Sequence, residues 1–323
     1  MLGAVLVIAA PLIVVMWPHR AAASRLPVLR PVTAVYDGDI GDPFVLAAHR
    51  GAGAGQFFVL GTNDFPNHVP TAHSADLQHW DAGPDALPKL PTWAAVDRRN
   101  SFTWAPAVLE TPLQYVMYVS VQDGQSRREC IAATVSANPD GPYTDAVGSP
   151  FVCQRELGGS IDPSVFHDDS GRLHLLWKSD GNCCNMPSVL WEQDLAPDGL
   201  HLTGAPHRLL QSSLAWQGGI IENPAMAPAP HGGYWLFYSG NLWNRAEYGT
   251  GLAYCRQLSG PCKETSRNPF LASEGQQYSP GGLEVFTDGR GKTWAAYAVW
   301  NRPSRNGRFY CCRSMDIAEL RIS

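Results

Sequence analysis

Asp42, Asp162 and Glu222 stand 120 and 60 residues apart, each in front of a short apolar run that a proline opens. The runs read Gly41-Asp42-Pro43-Phe44-Val45-Leu46, Ser160-Ile161-Asp162-Pro163-Ser164-Val165-Phe166 and Ile221-Glu222-Asn223-Pro224-Ala225-Met226. Carboxyl groups brought from such distances to one opening repel one another, and in a partly dry pocket at least one holds a proton at neutral pH. A proton donor facing an ionised acceptor across a pocket is the pair that hydrolysis of a glycosidic bond requires. Asp-Pro pairs by themselves carry little, since an acidic residue before proline is usually a turn former. The shared register is what singles these three out.

The elements that must position them repeat. Two further runs have the same form, Trp104-Ala105-Pro106-Ala107-Val108-Leu109 and Ser279-Pro280-Gly281-Gly282-Leu283-Glu284-Val285-Phe286. Each run is followed by a turn and a second apolar run, such as Leu173-His174-Leu175-Leu176-Trp177 or Tyr234-Trp235-Leu236-Phe237-Tyr238-Ser239. Prolines 43, 106, 163, 224 and 280 give a period of about 60 residues, in the range of propellers and solenoids. Many short strands with Gly and Pro turns predict an all-β chain, a five-bladed β-propeller of four-stranded blades whose inner strands line a central channel. Asp42, Asp162 and, nearly, Glu222 then share one rim of that channel. The matching places in the other two blades are read as Ala105 and Ser279. Trp104, two residues before the proline of blade two, is the candidate for stacking on a sugar ring, against plain packing. Trp177, Trp235 and Trp294 fall mid-strand and read as core. His49, His68, His73 and His79 show no ligand spacing and read as loop residues.

The 323 residues carry 45% hydrophobic and 16% charged side chains, which suits one packed domain and excludes a disordered chain. A net charge of −5 supplies no field that would gather nucleic acid. Residues 1–23 hold an apolar run, Leu2 to Trp17, then Ala21 to Ala23, and read as a signal peptide or signal anchor, with residues 24–323 as a single catalytic propeller. The expected location is secreted or cell-envelope, as a monomer, with membrane contact only through that segment. Leu26 to Tyr36 is read as a closing strand for the last blade, and the tail through Ile317 to Ile322 as its outer strands. Eight cysteines in an exported chain favour disulfides. Cys255 with Cys262 and Cys130 with Cys153 are the expected pairs, and the doublets Cys183-Cys184 and Cys311-Cys312 are expected to cross-pair. No paired C-x-x-C spacing supports zinc, and neither a metal nor a cofactor is expected.

Taken in order, Gly41-Asp42-Pro43, Trp104-Ala105-Pro106, Ile161-Asp162-Pro163, Glu222-Asn223-Pro224 and Pro280-Gly281-Gly282 resemble glycoside hydrolase family 43, the five-bladed arabinanases, arabinofuranosidases and xylosidases. The resemblance runs from about Gly41 to Trp300. It implies Asp42 as general base, Glu222 as general acid and Asp162 as the residue that tunes and orients the acid. It also implies hydrolysis of arabinofuranosyl or xylosyl linkages in a polysaccharide or oligosaccharide with inversion, which needs carboxyls roughly 6.5 to 9.5 Å apart. Two places depart from the family pattern. Gly281-Gly282-Leu283-Glu284 stands where members commonly carry a channel histidine beside an ion, and Asn223 stands where a small residue usually follows the acid. A fructosidase-like retaining hydrolase is the alternative enzyme, although its Asn-Asp-Pro-Asn-Gly opening is missing. A propeller that binds polysaccharide without cleaving it is the alternative outside enzymes.

Overall fold

The computed structural model describes residues 25–31, 36–96, 102–275, 277–300, 308–309 and 312–323. The N-terminal segment 1–23, the pair Asn301-Arg302 and Cys311 lie outside the described residues. Five antiparallel sheets of four strands each form the blades of a propeller. The inner strands are Gly41–Ala47, Thr103–Glu110, Ser160–His167, Ile221–Pro228 and Tyr278–Thr287, in blades one to five. Blade five is closed from the other end of the chain. Val28–Pro31 pairs antiparallel with Arg313–Arg321, so the early segment is the outermost strand and the tail the third.

Apolar clusters pack each blade on the next. Leu109, Tyr118 and Ile131 of blade two meet Leu173, Leu175 and Trp177 of blade three, and Val45 and Val59 of blade one meet Ala296 and Ile317 of blade five. The second contact closes the ring. Trp177 is 1% exposed, stacks on Trp191 and donates from Nε1 to Gln154 Oε1 at 2.9 Å. Trp177→Ala is therefore expected to destabilise the propeller by about 3–5 kcal/mol, measured by urea unfolding. Trp235 is buried as expected, whereas Trp294 is half-buried, with the Lys292 ammonium 4.1 Å from its ring centroid.

Each inner strand carries a bulge at the same height, where one residue drops out of the ladder. Gly41, Trp104, Ile161, Glu222 and Gly281 are the last paired residues before it. The residue that follows, Asp42, Ala105, Asp162, Asn223 or Gly282, has positive φ, from 44° to 61°. In three blades its backbone N–H leaves the sheet for a hydroxyl of the preceding blade: Ala105 to Thr62, Asp162 to Ser120 and Gly282 to Ser239. Two register readings are corrected here. Blade five is matched at Gly282, because an additional register shift between Tyr278 and Gly281 moves the bulge three residues past Ser279. Blade four is matched at Asn223, so Glu222 shares its register with Trp104.

Cys130–Cys153 and Cys255–Cys262 are bridged as expected. The doublets do not cross-pair. Cys183 is bridged to Cys184 within a 3₁₀ turn, Gly181–Cys184, and this turn removes the need for a distant partner.

Candidate active site at the channel rim

The bulges build the rim. A positive φ aims each following side chain into the channel, and Asp and Asn tolerate it better than most residues. Asp42, Ala105, Asp162, Asn223, Gly282 and Glu284 line one small cavity at the axis. Asn223 joins two of the carboxyls: its backbone N–H donates to Asp162 Oδ2 at 3.1 Å and its Nδ2 to Asp42 Oδ1 at 3.4 Å. The Gly-Gly of blade five is a matter of space. A Cβ on Gly281 would lie 2.1 Å from the Tyr248 ring, and one on Gly282 would lie 3.0 Å from Asp42 Oδ1.

Asp42 Oδ2 accepts from Thr62 Oγ1 at 2.6 Å, and the two nitrogens Nη1 and Nη2 of Arg313 reach its two oxygens at 3.4 and 3.3 Å. Burial is the largest single influence on Arg313 and would lower its pKa, but Asp42, Tyr248 and Asp39 together hold it above its ordinary range. Glu222, one position off the bulge, points to a different set of partners. Lys178 Nζ donates to its Oε2 at 2.9 Å, and the Tyr248 hydroxyl lies 2.8 Å from its Oε1 and 3.0 Å from Asn223 Oδ1. Lys178 is 1% exposed. Burial alone would lower its pKa, but Glu222, Asp162 and Asp180 together raise it.

Asp162 is 7% exposed, and its pKa is raised well above the ordinary range. Burial is the main cause, Glu222 and Asp42 add to it, and Lys178 opposes it. Asp162 is thus in electrostatic contact with both other carboxyls; Asp42 and Asp162 line the cavity, whereas Glu222 stands beside it among Lys178, Tyr248 and Asn223. Trp104 is half-buried on the inner strand of blade two, its ring 6.5 Å from Phe102, which in turn meets the exposed Phe65 edge-on at 5.4 Å. Those three rings form one aromatic patch, which adjoins the cavity through Ala105, the residue after Trp104.

The sequence profile of glycosyl hydrolases family 43 matches residues 32–323. This chain is a member of that family. Among characterised relatives, a β-D-galactofuranosidase of Aspergillus niger is 28% identical over 265 residues, covering 76% of this chain and 70% of the relative. An extracellular endo-α-(1→5)-L-arabinanase of Thermotoga petrophila is 27% identical over 240 residues, covering 64% of this chain and 47% of its own length. The chain spans about half the length of the arabinanases it matches. The crystal structure of a thermostable family-43 glycoside hydrolase superposes with a TM-score of 0.74 at 23% identity, over 91% of this chain and 93% of that one.

Three side chains of this family 43 rim escaped the motif reading. Lys178 comes from a second strand, Arg313 from the start of a third and Tyr248 from the residue just before a third, where no local spacing announces them. Lys178 had one legible signal, a lone cation inside Leu173–Ser179, a strand otherwise fit for complete burial. Glu284 is a fourth carboxyl of the channel, pushed up by burial to about 8, with a hydrogen bond to Ser164 opposing the shift. Its folded-state pKa lies above its unfolded one, so the folded state binds the extra proton and stability falls as pH rises from about 4.5 to about 8. Glu284→Gln is expected to flatten that fall, worth on the order of 1 kcal/mol or more at pH 8.5, in urea titrations compared with pH 5.

Proposed function

We propose that this propeller is an exported glycoside hydrolase that cleaves arabinofuranosyl or xylosyl linkages of a polysaccharide or oligosaccharide by single displacement. Glu222 is the general acid, Asp42 the general base and Asp162 the residue that keeps the acid supplied with its proton. The observation that carries the reading is the Asn223 bridge, which ties Asp42 of blade one to Asp162 of blade three beside Glu222 of blade four. Asp162 lies within electrostatic reach of Glu222, and its burial keeps a proton on Asp162. Glu222 delivers that proton to the leaving oxygen. Asp42, fixed on both oxygens by Thr62 and Arg313, orients and deprotonates the attacking water from the other side of the sugar. Trp104 and its aromatic neighbours offer the stacking face. The extracellular arabinanase relatives and the apolar N-terminal run support export.

The test is a panel of 4-nitrophenyl glycosides and intact arabinans, with proton NMR of the first anomer released. Release of arabinose or xylose as the inverted anomer is the expected result, and retention would instead place the chain with the fructosidase-like mechanism. The Lys178–Glu222 contact supports a second reading, a binding propeller whose acid is tied up by an ammonium. Measurable glycan binding with a blank hydrolysis panel is the outcome that reading requires.

A further inference from the structure

Blade three carries a second constellation of ionisable groups, away from the rim and unused by the hydrolytic reading. His174 stands on the second strand, and Glu192 and Asp194 on the third, Val189–Leu195. His174 lies four residues before Lys178, roughly 13 Å along the strand from the rim. Register sets His174 opposite Asp194 and Glu192 opposite His207 of the outermost strand, so all four side chains share one face. That face borders a cavity of about 430 Å³.

The imidazole of His174 is 1% exposed, with Nδ1 2.7 Å from Glu192 Oε1 and 3.1 Å from Asp194 Oδ1. One ring proton can be donated to only one acceptor along its own direction, whereas two carboxylate oxygens and a nitrogen within 4.8 Å of one another can all face a single cation. The other ring nitrogen supplies an independent sign. Nε2 is buried without a hydrogen-bond partner, 3.5 Å from Asp168 Oδ2. Asp168 is itself fixed by the N–H groups of Ser170 and Arg172 and by the Arg172 guanidinium. At that distance the Asp168 charge still favours the proton on Nε2, the tautomer in which Nδ1 presents its lone pair to an ion. The Arg172 charge is spent on Asp168, on the far side of the ring.

We propose that His174, Glu192 and Asp194 bind one divalent first-row transition ion of the Zn²⁺ class. An imidazole with two carboxylates suits such an ion, whereas Ca²⁺ selects six to eight oxygens. The ion has a structural task at this place. Pairing between the third and outermost strands shifts register between Glu192 and Asp194, and Pro206 within the bulge donates no ladder hydrogen bond, so an ion clips strands where the ladder is interrupted.

The test uses full-length protein stripped with EDTA, returned to metal-free buffer and titrated calorimetrically with ZnCl₂ and, separately, CaCl₂. One Zn²⁺ per chain, a rise in melting temperature and unchanged hydrolysis of a glycan substrate by the stripped protein are expected. Asp194→Asn, on a half-exposed side chain that leaves the core untouched, should weaken Zn²⁺ by more than about tenfold. His174→Gln, with its fold checked by circular dichroism, should abolish binding. The proposal is overturned if wild-type protein takes up no Zn²⁺, if it prefers Ca²⁺, or if Asp194→Asn binds as tightly as wild type.

Discussion

Glu222→Gln is expected to lower kcat on an unactivated oligosaccharide by about 10²- to 10⁴-fold while leaving ligand binding in place. The amide keeps the size of the side chain and an oxygen for Lys178, so the pocket should hold its shape. What it loses is the proton. On a substrate whose leaving group departs unaided, such as a 2,4-dinitrophenyl glycoside, the loss should shrink to a small factor, because acid assistance is no longer needed there. The pH dependence has a definite sign as well. A general acid works only while protonated, so the wild-type rate falls as pH rises, and the raised pKa of Asp162 moves that limb upward. In the glutamine variant the alkaline limb should vanish. Equal losses on both substrates, with the limb intact, would remove Glu222 from the role of acid.

How far such roles can be read without coordinates depends on where each side chain lies along the blade. Blades one to four are legible because a proline follows the bulge in every one, and proline restricts both itself and the residue before it. Blade five breaks that spelling. Leu283 follows its bulge, and Pro280 belongs to an earlier kink of the same strand, so Gly282 is not recoverable from proline spacing. Asn223 was visible as a departure from the family pattern, but its bridge between Asp42 and Asp162 depends on a backbone amide turned out of the sheet, which only the folded bulge reveals. The partners of the carboxyls were least legible. Arg313 lies 271 residues from Asp42 and meets it only because blade five is closed next to blade one. The Cys183–Cys184 bridge and the His174 group share this property. Their geometry is set by a turn and by cross-strand register, and spacing along the chain encodes neither.

Asp42→Asn should give the opposite leaving-group pattern. A base acts on the incoming water, so its removal should slow unactivated and activated substrates alike, by about 10²- to 10⁴-fold in kcat. A small anionic nucleophile such as azide, which needs no deprotonation, should restore turnover and yield the glycosyl azide of inverted configuration. The substitution also disturbs the fold. Thr62, Asn223 and both Arg313 nitrogens all donate to Asp42, so an amide NH₂ at this place meets a donor whichever way it turns. That conflict should lower stability by roughly 1–3 kcal/mol, which urea unfolding of the variant measures directly. The kinetic and structural effects separate cleanly: azide can replace the nucleophile but not the lost acceptor. A variant rescued by azide yet still destabilised is the expected result. If instead activity returns with stability, through a second substitution that relieves the Arg313 contact without restoring a carboxylate, Asp42 is a structural anchor and the base must be sought elsewhere on the rim.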